Sequence, residues 1–340
     1  MKTEKAGSLK IRDSKLDILK SIAAVLVVLV HAGNMISYAE ITSGFILYFN
    51  RFLQIFACLG VPIFFVVSGY LAASSYQHGK EWYLLNIRKK TKSLAVPYLI
   101  WMFAYWVLEY LVLSPPANWN FKDMILSLTG IPFFIFPIYE PLWFVRDLYL
   151  VSFLLPLLKF LSKHTLPTLF FCLLVWYCPF AYAFKETFAW YTLGLLIYNK
   201  KDEWKPIFLK IKQYGWLFLI VGLFGNVIYC LICPMEPIRD TLVILWFILL
   251  WSFIQYNKNN YPVFDFLNRY VFKASFLIFV GHGKVLSLMQ IVYCKIAENQ
   301  EWILLPGYIV LPILSIVMCI CADQLLRKTP IYLLITGNRG

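Results

Sequence analysis

"LDILKSIAAVLVVLVHAGN", Leu16 to Asn34, is apolar enough for a bilayer, yet it holds a lysine at one end and a histidine eleven residues on. Ionisable side chains inside a span cost a few kcal/mol each, so those that persist face a cavity, a partner or a site. At about 100° per residue, Asp17, Lys20, His31 and Asn34 fall within one sector of about 100° and form a single polar stripe. From Lys20 to His31 the helix rises about 16 Å, which puts Lys20 at one edge of the hydrocarbon and His31 at or beyond its middle. The stretch therefore reads as a permanent membrane helix that carries chemistry. The basic residues before it resemble the start of a secretory signal, but Lys20 interrupts the run, no small-residue cleavage site follows, and further spans come after.

The rest of the chain extends this reading. Of 340 residues, 61% are hydrophobic and 14% charged, where a soluble domain carries about a quarter charged. Many stretches run without Asp, Glu, Lys or Arg, among them Phe52 to Gly79, His164 to Phe184 and Trp302 to Ala322; each is near or above the ~20 residues that cross a bilayer. Ten spans fit: roughly 18–36, 56–75, 94–113, 140–158, 165–182, 186–199, 214–232, 241–256, 274–293 and 302–322. The expected fold class is an all-α integral membrane bundle of about ten transmembrane helices. Residues 1–17 form a cytosolic N-terminal tail, 18–322 the membrane domain, and 323–340 a cytosolic C-terminal tail.

The net charge of +13 could suggest nucleic acid, so its placement decides. With both termini cytosolic, 24 of the 31 Lys and Arg lie on cytosolic segments, as the positive-inside rule requires. The excess is a topology signal with membrane lipid headgroups as its partner, and nucleic acid is excluded. Eight cysteines fall almost entirely inside spans. No histidine stands close enough to complete a zinc set, so they are read as reduced core thiols and no metal is expected. The segments "SPPANWNFKD" (Ser114–Asp123) and "TGIPFFIFPIYE" (Thr129–Glu140) suit short interfacial caps or re-entrant pieces.

Few polar groups remain inside the spans. Lys20 either snorkels to the headgroups or serves as a buried cation. His31 is either a satisfied donor to another helix or a general base, since imidazole takes a proton from a hydroxyl without carrying a permanent charge in hydrocarbon. His282, in "SFLIFVGHGKVL", repeats the problem. Trp143, Arg146 and Asp147 stand near the outer face in "EPLWFVRDLYL"; the last two neutralise each other or line a site. Arg88, Lys89, Lys90 and Lys92 sit at the cytosolic mouth of the third span. They serve either lipid headgroups or a phosphate-rich cytosolic donor.

These residues resemble an ordered set of motifs in the acyltransferase type 3 family, integral membrane enzymes that acylate sugars and other acceptors of the bacterial envelope. Lys20 and His31 are similar to its Arg-x10-His element. "GVPIFFVVSGYL" (Gly60–Leu71), "RKKTKSLAVPYLIW", "LWFVRDL", "WYTLGLLI" and "SFLIFVGH" (Ser275–His282) follow in the family's order. The resemblance implies a ten-helix bundle in the cytoplasmic (inner) membrane, using acyl-CoA, usually acetyl-CoA, as donor. The acyl group ends on a hydroxyl of a glycan or lipid-linked sugar. It implies His31 as base, Lys20 as its paired cation, and Lys89 and Lys92 at the donor mouth; beside these, Arg88 is expected at the same mouth, and Trp143, Arg146, Asp147 and His282 are expected to line the acceptor half. The sequence departs from the pattern in having lysine where arginine is usual in both basic motifs: an ammonium neutralises a phosphate but cannot fork onto it. A transporter or exporter of polysaccharide or small anions is the rival reading, since intramembrane His, Arg and Asp also build proton relays.

Overall fold

The computed structural model describes residues 13–41, 44–109, 125, 129, 139–177, 185–232, 234–257, 261–298 and 300–337. Among them the chain is helical, with no strand. The first helix, α1 (Ser14–Ala32), starts where the Asp13 carboxylate accepts from the Lys15 backbone N–H at 3.0 Å, an N-cap that satisfies one orphan donor. Next come α2 (Phe45–Ala57) and α3 (Gly60–Ser75), which together form an apolar run of 31 residues.

A polar helix, α4 (Lys80–Lys90), passes through a π-helical turn at Thr91–Ala95 into α5 (Val96–Val107). Farther on come α6 (Trp143–Val151), α7 (Leu155–Leu161), α8 (Thr165–Tyr177) and α9 (Lys185–Asn199). Then α10 (Lys201–Gln213) meets α11 (Gly215–Leu231) at 72°, followed by α12 (Glu236–Tyr256). A turn at Pro262–Phe266 and a second π-helical turn at Leu267–Val271 lead into α13 (Phe272–Ala297). The last elements are α14 (Glu301–Leu326) and a short α15 (Tyr332–Thr336).

Among the described residues, five helical runs are long and apolar enough to cross a bilayer alone, or six if the bent pair α10 and α11 counts as one. Within the windows expected to span at 94–113, 140–158, 165–182 and 186–199, the described helices do not by themselves reach the length of a full crossing. The 15 residues of α9 rise only about 22 Å against a hydrocarbon core of about 30 Å. The window at 140–158 is broken by a 3-10 turn at Ser152–Leu154 that separates α6 from α7. Segment 114–123 and most of 129–140, where the caps were expected, lie outside the described residues, as do 1–12 and 338–340.

Two packing relations position everything else. At the first, α3 and α9 cross with backbones in contact. A Cβ on Gly69 would lie 2.1 Å from the Tyr191 carbonyl oxygen, and one on Gly194 would lie 2.1 Å from that of Val66, so only glycine fits on either side. The second sets α1 and α13 side by side and parallel. Ser21 Oγ reaches the Leu267 carbonyl at 3.2 Å and Lys20 Nζ lies 5.9 Å from the Phe272 ring centre. Near the other end of α1, the Gln290 amide donates to the carbonyls of His31 and Ala32 at 3.1 and 3.0 Å. Apolar side chains from these helices, including Leu19, Val28, Ile63, Phe65 and Val280, are wholly buried between them.

Candidate active site

The parallel alignment of α1 and α13 carries a chemical consequence. Lys20 opposes Phe272 and, eleven residues on, His31 opposes His282, so the two intramembrane histidines meet with ring centres 5.1 Å apart and planes tilted by 51°. His282 is fully buried, while His31 keeps partial exposure. One nitrogen of His282, Nδ1, lies 2.6 Å from the Ile278 carbonyl, one turn back on α13. A carbonyl only accepts, so Nδ1 carries the proton of the neutral ring and Nε2 presents its lone pair. Among the described residues that buried Nε2 has no hydrogen-bond partner. A buried acceptor without a partner is costly; here it sits beside the other imidazole, where a hydroxyl or a water would satisfy it.

The surroundings of His282 hold its backbone in place. Gly283 N–H donates to the Tyr139 hydroxyl at 3.0 Å, Tyr139 stacks on Tyr105 with ring centres 3.9 Å apart, and the Tyr105 hydroxyl donates to the Val280 carbonyl at 2.6 Å. A Cβ on Gly283 would stand 2.6 Å from the Tyr139 hydroxyl oxygen, so glycine at 283 lets the phenol approach. Just beyond, Lys284 Nζ pairs with Glu109 at 2.8 Å. On the α1 side, Gln54 donates to the Val30 carbonyl at 2.9 Å, which together with Gln290 fixes the turn that carries His31.

From His282 an aromatic column leads to the fourth predicted span. Phe279 packs on Phe64 and Phe144 at 4.6 and 4.9 Å between ring centres, and Phe65 rests on Trp143 at 6.1 Å. Arg146 and Asp147 follow on α6. Arg146 Nε donates to Asp147 Oδ1 at 2.7 Å, and Thr187 Oγ1 donates to Oδ2 at 3.3 Å. Both charged side chains are buried, at 8% and 0% exposure; the pair therefore stands as a neutralised unit.

The structure brings some expected site residues together and keeps others apart. His31 joins His282, and Arg146 joins Asp147. Lys20 does not reach His31: it sits on Phe272, about 16 Å down the same helix. Of the basic mouth, Arg88, Lys89 and Lys92 are exposed and Lys90 is half-buried, and the π-helical turn at Thr91–Ala95 follows directly on Lys90. Thr91 Oγ1 meets the Tyr149 hydroxyl at 3.0 Å, tying that turn to α6. The C-terminal α15 packs alongside: the Trp101 indole donates to the Ile335 carbonyl at 2.9 Å, and Gly337 abuts Ser93. Tyr332 anchors it by donating to Asp323 at 2.8 Å; burial, and then that carboxylate, push its phenol up to about 12.

Tyr105, Tyr139, Thr187 and Gln290 did not emerge from the sequence. Each is a neutral polar group in an aromatic or apolar run, and only Gln290, an amide inside a span, carried a usable signal. Among the described residues no cluster of three His, Cys, Asp or Glu is placed to hold a metal ion.

An all-helical membrane bundle with a histidine pair in its interior defines a class of polytopic membrane proteins with a site built between helices. The family model for the acyltransferase domain, acyltransferase type 3, matches residues 13–323, nearly the whole chain. The chain therefore belongs to the acyltransferase type 3 family. Comparison with curated proteins and with solved structures gives no significant match.

Proposed function

We propose that this multi-pass membrane acyltransferase is an O-acyltransferase of the cytoplasmic membrane, taking an acyl group, acetyl above all, from acyl-CoA to a hydroxyl of a glycan or lipid-linked sugar of the cell envelope. The observation that carries this reading is the pair formed by a partly exposed His31 and a buried His282 whose Nε2 has no partner among the described residues.

The coenzyme's phosphates dock at the cytosolic mouth on Arg88, Lys89 and Lys92, whose exposed cations attract polyanions. The thioester extends into the bundle toward His31. His31 takes the proton from the acceptor hydroxyl as its oxygen attacks the thioester carbonyl. As the tetrahedral intermediate collapses, the carbon–sulfur bond breaks and the protonated imidazole returns the proton to the leaving thiolate. The Nε2 lone pair of His282 accepts from a water whose other O–H donates to the attacking oxygen, since the hydroxyl's own proton goes to His31. Lys20, at the cytosolic end of the same helix, lies about 16 Å from His31 and acts on the donor by charge, not on the base by contact. The buried Arg146–Asp147 pair and Trp143 line the acceptor half.

Substituting His31 by Ala removes the base, and acyl transfer from radiolabelled acetyl-CoA by purified, reconstituted protein falls by about 10²–10⁴-fold. Unchanged transfer by a folded His31→Ala protein would overturn the mechanism. Flux of an anion or glycan across liposomes without any CoA would favour the exporter reading instead.

A further inference from the structure

Four helix ends meet on the membrane face where α1 begins: α7 and α9 finish there, and α8 and α10 start. Lys15, in the first turn of α1, reaches the Gln255 carbonyl at 2.6 Å, and the neighbouring Tyr256 stacks on Phe208 of α10. The positive-inside rule assigns this face to the cytosol. Residues 159–164 and 199–203 bring four lysines, Lys159, Lys163, Lys200 and Lys201, against two carboxylates, Asp202 and Glu203. The helix ends leave this balance as it is, because two negative C-termini meet two positive N-termini. One ion pair closes, Lys200 with Glu203 at 2.8 Å. Among the described residues, Lys159, Lys163 and Lys201 have no carboxylate within ion-pair distance.

These three cations are gathered, not scattered. Lys159 and Lys201 each place Nζ 5.1 Å from the centre of the Tyr198 ring, which sets them within about 10 Å of each other. Lys163 lies over the Phe160 ring at 5.6 Å, and its charge is felt at Lys159. Neutral acceptors hold Lys159 at this point. Its ammonium donates to the Asn199 side-chain oxygen, and the Asn199 amide is itself turned by donating to Ser162, at 2.9 Å to the carbonyl and 2.8 Å to the hydroxyl. Ser162 is fully buried. The cation is thus fixed in place without being neutralised. Topology requires only that lysines lie on this face; it does not require them to converge on one ring. Like charges this close repel one another until an anion joins them.

The surroundings choose the anion. Leu157 and Phe160 on α7 and Leu166 on α8 are 63%, 64% and 79% exposed, apolar side chains that face hydrocarbon in a bilayer. The cluster therefore stands where lipid-facing surface meets the headgroup layer, within reach of a phosphate whose own acyl chains lie along those side chains. A zwitterionic headgroup would bring an ammonium in among the lysines, so the fit is to a headgroup of net negative charge. We infer that Lys159, Lys163 and Lys201 form a site for the phosphate of an anionic phospholipid of the cytosolic leaflet, which ties the α7–α8 turn to the end of α9. The site involves neither the histidine pair nor acyl-CoA, and it stands or falls apart from the acyltransfer reading.

The test is retention of phosphatidylglycerol by the full-length protein. The protein is reconstituted in phosphatidylcholine vesicles with a minor share of phosphatidylglycerol, extracted in mild detergent, and its bound lipid counted by native mass spectrometry. The wild type keeps a phosphatidylglycerol in preference to phosphatidylcholine. Lys159→Gln with Lys201→Gln lowers that retention on the order of tenfold. Lys205→Gln with Lys210→Gln, at two exposed positions of α10, removes the same charge and leaves it unchanged. Lys163→Gln, a single change at an exposed position, gives a partial loss and carries the test should the first double variant not fold. Equal losses in the two double variants, or no preference over phosphatidylcholine in the wild type, would mean diffuse attraction to the surface and sink the proposal. Displacement of the wild type's phosphatidylglycerol by added coenzyme A or inorganic phosphate would assign the lysines to a soluble phosphate and sink it equally; retention in the presence of both supports the lipid.

Discussion

At the scale of single residues, the pairing of two imidazoles is what sets this bundle apart from a set of packed helices. His282 is held in one tautomer by the Ile278 carbonyl and in one position by Tyr139 and Gly283, so its free lone pair has a fixed direction. Replacing His282 by Gln keeps a polar group but not that lone pair at the same point. The expected result is a fall in kcat for acyl transfer with an unchanged KM for acyl-CoA, measured in steady state. A purely structural role would instead lower the yield of folded protein without splitting the two constants. Gly283→Ala tests the same positioning from behind. Its methyl would stand 2.6 Å from the Tyr139 hydroxyl, so either the phenol or α13 must shift, at a cost of about 1–3 kcal/mol. A lower melting temperature of the detergent-solubilised protein checks it. His31 and His282 were each visible in the sequence as expensive groups inside apolar runs; the phenols that brace them were not, because a tyrosine in an aromatic-rich membrane segment looks like any other.

Among the helical elements, the crossing of α3 and α9 has the least tolerance. Gly69 and Gly194 each face a backbone carbonyl 2.1 Å from where a Cβ would stand, and backbone cannot step aside as a side chain can. Close approach through small residues is how membrane helices associate when lipid is as apolar as their own side chains. Gly194→Ala should force the helices apart and cost at least about 1–3 kcal/mol, read as a drop in melting temperature larger than that of Gly215→Ala, whose Cβ would meet only Leu249 at 3.5 Å. Equal shifts for the two would deny the crossing its role. Both glycines stand inside motif-like runs, "GVPIFFVVSGYL" and "WYTLGLLI", but nothing in either run alone says that each glycine answers the other. The π-helical turns were likewise beyond the sequence, since a widened turn depends on what packs against it. Thr91 is fixed by Tyr149 from another helix.

Taken as a whole, the molecule has a long-range electrostatic property to test. If acyl-CoA docks on the exposed Arg88, Lys89 and Lys92, removing two of those charges as Lys89→Ala with Lys92→Ala weakens donor binding by about 1.5–3 kcal/mol, on the order of ten- to a hundredfold in KM. The loss shrinks as salt rises, because exposed charges are screened over about 10 Å at 0.1 M. Titrating acetyl-CoA at two ionic strengths measures it; a KM unchanged by the double substitution would leave these lysines to topology alone.

The sequence by itself determined the environment and the helical class: a chain 61% hydrophobic with few charges satisfies its backbone in hydrocarbon through helices or a closed barrel, and uncharged runs of ~20 residues without strand alternation select helices. It also marked the ionisable groups inside the spans, since each stands out against its apolar neighbours. Only the tertiary structure decided which of them meet. Helical periodicity orders residues around one axis, but whether His31 faces His282 or lipid depends on the relative rotation and register of α1 and α13. Contacts such as Gln290 on the His31 carbonyl, 259 residues away in the chain, set that register. The separation of Lys20 from His31, by contrast, was already in the sequence: they share a face of one helix, and its rise of about 16 Å between them keeps the two side chains from direct contact.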